Sequence, residues 1–375
     1  MLRLNSNRSP VRFFVLLALL CMSQLLYANA TQIKLEQVAS DFNIPWGMAF
    51  LTADKLLITE RSGGVYLLDI TSGKRVLLKN TPAVVANNQG GMLDVAIPHH
   101  IAHNNWIYFT YVKASSENYS ANSSTVLARA RLKDDRFYDW QALLVTTAAS
   151  SGYHFGSRIA FDEHHVFFGL GDRGNRSSAQ NLNNHMGSIF RLYLDGRIPE
   201  DNPFVGNKDV KAEIWSYGHR NPQGLAYDFS RQRLWEIEHG PRGGDEINLI
   251  EPAKNYGWPV ISYGMEYTED KAVGEATHKE GMQQPVKVYI PSIAPGSLLL
   301  YTGKAFPQWQ GNLFAGALKL RHLNRVVLDQ QGAAVSEERL FESLNQRIRA
   351  LVQSPQGWIY FSTDNGSIYR IRPEN

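Results

Sequence analysis

The chain has 375 residues, 43% of them hydrophobic and 19% charged, with 30 glycines and 16 prolines. This balance excludes disorder and a coiled coil, and the length admits two or three domains or one large β architecture. The formal charge of +3 hints at a nucleic-acid partner until its origin along the chain is found.

That origin is the N-terminus. Residues 1–30 carry Arg3, Arg8 and Arg12 and no acid. A basic start, an apolar run from Phe13 to Leu26 and the triplet Ala28-Asn29-Ala30 read as a secretory signal with an A-x-A cleavage site. The run falls short of the ~20 residues a spanning helix needs, so cleavage is expected rather than a retained anchor. Taking those three bases from 38 leaves parity with the 35 acids, and the case for nucleic acid disappears. The single cysteine, Cys21, lies in the same segment, so the mature chain lacks disulfides, thiolate ligands and a thiol nucleophile. These features describe an exported, periplasmic protein with no membrane span in its mature chain.

From residue 31 onward one strand signal recurs: a pair opening a β-branched or aromatic run, then a turn. Its six copies are Leu56-Leu57-Ile58-Thr59, Trp106-Ile107-Tyr108-Phe109, His165-Val166-Phe167-Phe168, Arg233-Leu234-Trp235-Glu236, Asn312-Leu313-Phe314-Ala315 and Trp358-Ile359-Tyr360-Phe361. Apolar stretches such as Met48 to Phe50, Ile159 to Phe161 and Leu225 to Tyr227 precede them. Closing strands of the form Gly, x, apolar follow, at Gly64, Gly187 and Gly366. Four short strands per ~50–70 residues, without amphipathic helices, predict an all-β, six-bladed β-propeller over residues 31–375 as a single domain. Ile33 to Val38 would pair beside Ile368 to Ile371 and close the ring. A pair of β-sandwiches is the competing architecture, and it leaves the six-fold spacing to chance.

In a propeller the loop before the first strand of a blade and the loop after its second open on one rim. That rule gathers Trp46, Gln89, His154, Arg220 and Arg347 with Asp172, Gly240-Pro241 and Lys319. Arg220, Lys319, Arg347 and Arg349 complement a ligand with several negative charges, because guanidiniums bind carboxylates bidentately; ordinary surface salt bridges are the plainer alternative. The Gly-rich stretches Trp215 to Gly224, Glu238 to Asn248 and Asn255 to Pro259 offer carboxylate and carbonyl oxygens to a hard cation such as calcium, although such acids often merely cap backbone amides.

At these residues the chain resembles the soluble aldose sugar dehydrogenases of the glucose/sorbosone dehydrogenase family, propellers that use pyrroloquinoline quinone (PQQ) and calcium. The resemblance spans essentially the whole mature chain. It rests on Gln89 to Asp94, His154 to Arg158, Tyr217 to Gly224, His239 to Asn248, Asn255 to Pro259, Gly316 to Lys319 and Arg347 to Arg349. It implies that His154 is the catalytic base and that Arg220, with calcium, stabilises charge on the reacting quinone. Quinone contacts are implied for Gln89, Arg220, Asn221, Tyr267, Ala317, Leu318, Lys319, Arg347, Ile348 and Arg349. The carbonyls of Gly240 and Pro241 would face a calcium at the cofactor, and Glu246 and Tyr256 would belong to a further calcium site. The implied reaction is oxidation of an aldose at its anomeric carbon to a lactone, by hydride transfer to the quinone, with electrons passing to a separate acceptor; a histidine suits the proton transfer because its ordinary pKa of about 6.5 lies near working pH. The protein would act as a monomer or homodimer. Two departures bear on sugar preference: Tyr153 stands where relatives often carry a small polar or acidic residue, and Glu266 to Met282 belong to an insertion.

Other signals give way. Gly169 to Gly174 satisfy the G-x-G-x-x-G spacing, but the polar Asn175 to Asn184 offer no helix, so the run reads as a blade turn. His99, His100 and His103 read as a surface loop, since Pro98 and Asn104-Asn105 flank them. No Gly-x-Ser-x-Gly elbow occurs. A calcium-dependent propeller lactonase and a non-catalytic binding propeller stand as the alternative functions.

Overall fold

The computed structural model describes residues 32–98, 105–115 and 122–374. The expected signal segment and the histidines His99, His100 and His103 lie outside the described residues.

The chain opens with β1 (Ile33–Ala39) and then lays down five complete four-stranded antiparallel sheets. Blade 1 is β2 (Pro45–Phe50), β3 (Lys55–Glu60), β4 (Val65–Asp69) and β5 (Arg75–Leu77). Blade 2 is β6 (Met92–Ala96), β7 (Ile107–Ala114), β8 (Ser123–Lys133) and β9 (Arg136–Val145). Blade 3 is β10 (Ile159–Phe161), β11 (His165–Leu170), β12 (Ser188–Tyr193) and β13 (Ile214–Tyr217). Blade 4 is β14 (Pro222–Asp228), β15 (Arg233–Glu238), β16 (Asp245–Ile250) and β17 (Lys287–Tyr289). Blade 5 is β18 (Pro295–Leu300), β19 (Leu313–Ala317), β20 (Leu323–Leu328) and β21 (Ala334–Leu340). Blade 6 is β22 (Ile348–Gln353), β23 (Ile359–Thr363) and β24 (Ile368–Pro373), completed by β1. The fold is a six-bladed β-propeller.

Each of the six repeated signals falls on the second strand of a blade, and the apolar stretch before it on the first. Those inner strands are packed on both faces by neighbouring blades, so β2 and β11 are buried at every residue and read as continuous apolar runs. The Gly-x-apolar signal marks the third strand, not the outermost one. Outer strands such as β5, with three residues, are too short and too exposed for a burial pattern. Closure works as expected, with Ile33 opposite Pro373 and Leu35 opposite Ile371. Arg372 and Arg370 both grip Glu36 across that seam and hold its carboxyl down at about 2.

Apolar side chains from adjacent blades interlock between the sheets: Met48, Phe50 and Leu56 of blade 1 pack with Tyr360 and Ile368 of blade 6. At the hub, one side chain joins the whole ring. Arg158, just before β10, donates to the carbonyls of Trp46 (2.9 Å), Gln223 (3.3 Å), Gly296 (2.6 Å) and Arg349 (3.1 Å), and to Asp94 Oδ1 (2.9 Å). Those acceptors sit one in each of the other five blades. Arg158 thereby divides the central channel into two chambers.

Candidate active site

Glycine brings the blade 3 loops together. A Cβ on Gly171 would lie 2.6 Å from the His154 carbonyl oxygen and 2.7 Å from that of Arg220, so only glycine lets these three backbones meet. The next residue, Asp172, is buried and accepts from His154 Nδ1 at 2.6 Å and from the Gly174 amide at 2.7 Å. Its second oxygen accepts from Trp258 Nε1 at 2.7 Å. Burial pushes the Asp172 carboxyl up, but the hydrogen bonds it accepts from His154 and the Gly174 amide, with Arg220 nearby, outweigh burial and hold it below the usual carboxylate range. An ionised Asp172 fixes the histidine as the Nδ1–H tautomer and leaves the Nε2 lone pair for other use. The His154 backbone is held in turn by Gln89, whose Oε1 accepts its amide at 2.9 Å.

Arg173 anchors the loop beneath. Its guanidinium is buried, stacks over Phe155 at 3.7 Å and donates to the carbonyls of Tyr153 and Ser151. Trp258 is flanked by two guanidiniums, Arg220 at 5.2 Å and Arg176 at 5.5 Å from its ring centre. Arg176 donates two parallel hydrogen bonds to the Glu266 carboxylate, joining the blade 4 insertion to this rim.

On the same side of the Arg158 plug lies a cavity of about 320 Å³. Loops before first strands supply Gln89, Asn221 and Arg347, and loops after second strands supply His239, Leu318 and Asp364. Arg349 and Trp46 stack on its wall at 4.2 Å. Asp364 takes three bonds, from Arg347 Nε (2.7 Å), Arg349 Nε (2.8 Å) and Arg349 Nη2 (2.8 Å). Burial raises the Asp364 carboxyl, but Arg349 and Arg347 outweigh it and the group stays below the usual range; burial pulls Arg349 below the usual guanidinium value. Desolvation drives His239 down to about 3, so its neutral ring donates Nε2–H to the Pro295 carbonyl at 2.7 Å. Two buried donors, Trp46 Nε1 and Arg220 Nε, have no protein partner. A pocket of this size, rich in cations and with a spare donor in Trp46 Nε1, fits a planar, multiply anionic cofactor such as PQQ.

A second polar group lies between blades 3 and 4. Glu236 and Glu238 on β15 face Asn248 and Glu246 on β16, with His219 above them, its ring stacked on Tyr256 at 4.6 Å. Ligand atoms of His219, Glu236 and Glu238 lie within 4.8 Å of one another. Glu236 Oε1 and Asn248 Oδ1 are buried without partners. Burial and the neighbouring Glu238 push the Glu236 and Glu246 carboxyls well above their usual range. Three carboxylates with orphaned acceptors fit a hard divalent cation. The group also touches the rim: Glu238 Oε2 accepts the amides of Arg220 (2.5 Å) and Asn221 (3.1 Å).

Of the residues expected from the sequence, the structure brings His154, Gln89, Arg220, Asn221, Leu318, Arg347 and Arg349 to one rim. Lys319 is there but exposed. The side chains of Ala317 and Ile348 are fully buried in the interblade cores, so these two positions can reach the rim only through their backbone. Tyr267 is 62% exposed on the insertion and does not line the cavity. Glu246 joins the interblade acids, Tyr256 packs on His219, and Gly240-Pro241 follow β15 at the rim, where the Pro241 carbonyl already accepts the Met265 amide at 2.8 Å. In the sequence Asp172 falls on the rim without a role, Glu238 and Trp258 fall only within the oxygen-rich stretches, and Glu236, Arg173 and Asp364 are assigned to no site. Acids alternating within the apolar strand Leu234 to Glu238 were the available signal for Glu236 and Glu238.

A propeller whose hub sets an arginine-lined pocket beside an ionised-aspartate–histidine pair is a scaffold for redox or acid–base work on a small anionic partner. Residues 42–370 match the glucose/sorbosone dehydrogenase family, an oxidoreductase family, and the chain belongs to it. It is 36% identical to the aldose sugar dehydrogenase YliI of Escherichia coli K12, over 96% of this chain and 99% of that one. Quinoprotein glucose dehydrogenase B of Acinetobacter calcoaceticus is 27% identical, over 91% of this chain and 87% of that one. The solved apo structure of a soluble aldose sugar dehydrogenase from E. coli superposes with a TM-score of 0.86 at 35% identity, covering 92% of this chain and 100% of that one.

Proposed function

We propose that the protein oxidises aldose sugars at the anomeric carbon to lactones, with PQQ as cofactor and calcium as its partner ion. The observation that carries this reading is the 2.6 Å bond from His154 Nδ1 to an ionised Asp172 at the edge of a cationic, donor-rich pocket. The names of the curated relatives point the same way. PQQ, when bound, supplies the acceptor for a hydride equivalent from the sugar. Arg347, Arg349, Asn221 and Gln89 would hold its carboxylates, with Leu318 beneath.

His154 Nε2 takes the proton of the anomeric hydroxyl, and Asp172 stabilises the imidazolium that forms. Arg220 sits 5.2 Å over Trp258, with a free buried Nε, and supplies positive charge where negative charge develops. Gly240 and Pro241 would offer carbonyls to the cofactor's calcium. Glu246, Glu236, Glu238 and the Tyr256 backbone would hold a second calcium that stiffens the Arg220-Asn221 corner through Glu238. Among the described residues no helix is long and apolar enough to cross a membrane. We place the mature chain in the periplasm, where it takes a free aldose and hands electrons to a separate acceptor.

Reconstitution separates the alternatives. Apo protein is mixed with PQQ, calcium, an aldose and an acceptor dye; dye reduction that needs both PQQ and calcium supports the dehydrogenase. Lactone hydrolysis without PQQ would favour the calcium lactonase, and silence in both assays a binding propeller. The rim of arginines speaks against the lactonase, whose ion would want acids at the hub, whereas the clustered acids here lie between blades.

A further inference from the structure

The Arg158 plug leaves a second chamber at the opposite mouth of the channel, about 570 Å³ in volume. Its chemistry is the reverse of the first. Each innermost strand contributes an apolar side chain to its wall: Met48, Val95, Ile159, Leu225, Leu298 and Leu351. Five of these six are 2–7% exposed and Leu351 is half-buried. At its base Arg158 is paired with Asp94, whose other oxygen accepts the Ile159 amide at 3.0 Å. All three guanidinium nitrogens of Arg158 are engaged as donors, so this end offers no spare charge, and its one buried donor without a protein partner among the described residues is the neutral Ser297 hydroxyl. A lone hydroxyl does not replace the water around a phosphate or a sugar, whereas it can donate to a single carbonyl oxygen. Apolar-walled cavities hold water poorly and take uncharged, ring-shaped ligands instead.

The two chambers are close. Trp46 lines the upper one and Met48 the lower, two residues along β2; Arg349 and Leu351 stand in the same relation on β22. At a strand rise of roughly 3.3 Å per residue the separation is about 7 Å.

We propose that the lower chamber binds a lipophilic quinone, which collects the electrons of sugar oxidation from the far side of the hub. This assignment rests on the dehydrogenase reading above. One aldose loses two electrons and two protons to become a lactone. One quinone gains two electrons through the hub and two protons from solvent to become a quinol, so the exchange balances. An apolar acceptor is unsuited to the cationic upper mouth, which the sugar must use; the lower mouth lets both partners be bound at once.

The test uses a decyl-substituted benzoquinone and the full mature chain. Calorimetric titration of the apo protein should show one saturable site. Leu351→Trp on blade 6 and Ala96→Trp on blade 2 should each weaken it at least tenfold and abolish sugar-dependent quinol formation, while sugar-dependent reduction of a water-soluble dye stays within twofold of wild type. Absence of quinone binding to wild-type protein overturns the proposal, as does wild-type affinity in both variants when each melts as a folded protein. Saturable quinone binding without sugar-dependent dye reduction would instead refute the dehydrogenase reading and keep the binding site.

Discussion

Replacing Arg158 by methionine removes the side chain that ties all six blades at the hub. Asp94 keeps the Ile159 amide but loses its ion-pair partner, and four blades lose a donor to a main-chain carbonyl. Removing one member of a buried ion pair costs about 3–5 kcal/mol, most of it the stranded charge. Water from the flanking chambers can satisfy the carbonyls, so we take about 4 kcal/mol in all. At the low end of the ~2–4 °C per kcal/mol seen for chains of 150–250 residues, that is a melting point about 8 °C lower. Calorimetry on the wild type, Arg158→Met and the double variant Arg158→Met/Asp94→Leu measures it; the double variant should recover at least half of the loss. Burial already raises the Asp94 carboxyl, and Arg158 opposes that rise. Without Arg158 the folded-state value climbs further, so the single variant's deficit is largest at neutral pH and shrinks as acid protonates Asp94 in both states. A single variant melting within 2 °C of wild type, or a double variant no better than the single, would refute the rivet.

Asp172→Asn should lower kcat by about 10²–10⁴ with little change in KM, because His154 loses its fixed tautomer; more than a tenth of wild-type kcat would remove Asp172 from that role. The Asp364 carboxyl is held below its ordinary value of 3.8, so the stability it gives with Arg349 and Arg347 is complete above that value and is lost as pH falls through the lowered one. Asp364→Asn should therefore reduce the melting point at pH 7 and narrow the gap to wild type below about pH 4, and a gap that widens in acid would contradict the sign. Calcium at a thousand times its Kd should stabilise the protein by about 4 kcal/mol; Glu236→Gln should lose more than half of that shift, read as the difference in melting point with and without chelator.

The ring was legible because second strands buried on both faces must be continuous apolar runs, and Leu57, Ile107, Val166, Leu234, Leu313 and Ile359 all fall on them. Strands such as β5 and β17 left no trace, being only three residues long; β5 is held by pairing rather than by burial, and β17 buries only Tyr289. At the site, Gln89, His154 and Arg347 could be gathered by the rule that two loops per blade share a rim. Partners within that rim were hidden. Nothing local to Asp364 says that it will lie under two arginines, and the Trp258 indole reaches Asp172 across 86 positions of chain. Ala317 and Ile348 sit beside the lining residues Leu318, Arg347 and Arg349 in sequence, but alternation along a strand sends their side chains into the interblade cores.

The central claim concerns one bond, the C1–H of an aldose, broken over His154. Anaerobic single-turnover spectroscopy of the PQQ- and calcium-loaded protein with glucose and with glucose deuterated at C1 reads that step. The account requires cofactor reduction within one turnover, slowed severalfold by deuterium and nearly abolished in His154→Ala, which should still bind PQQ. A cofactor spectrum unchanged by sugar, or reduction at the same rate with either isotope and with His154→Ala, would contradict it.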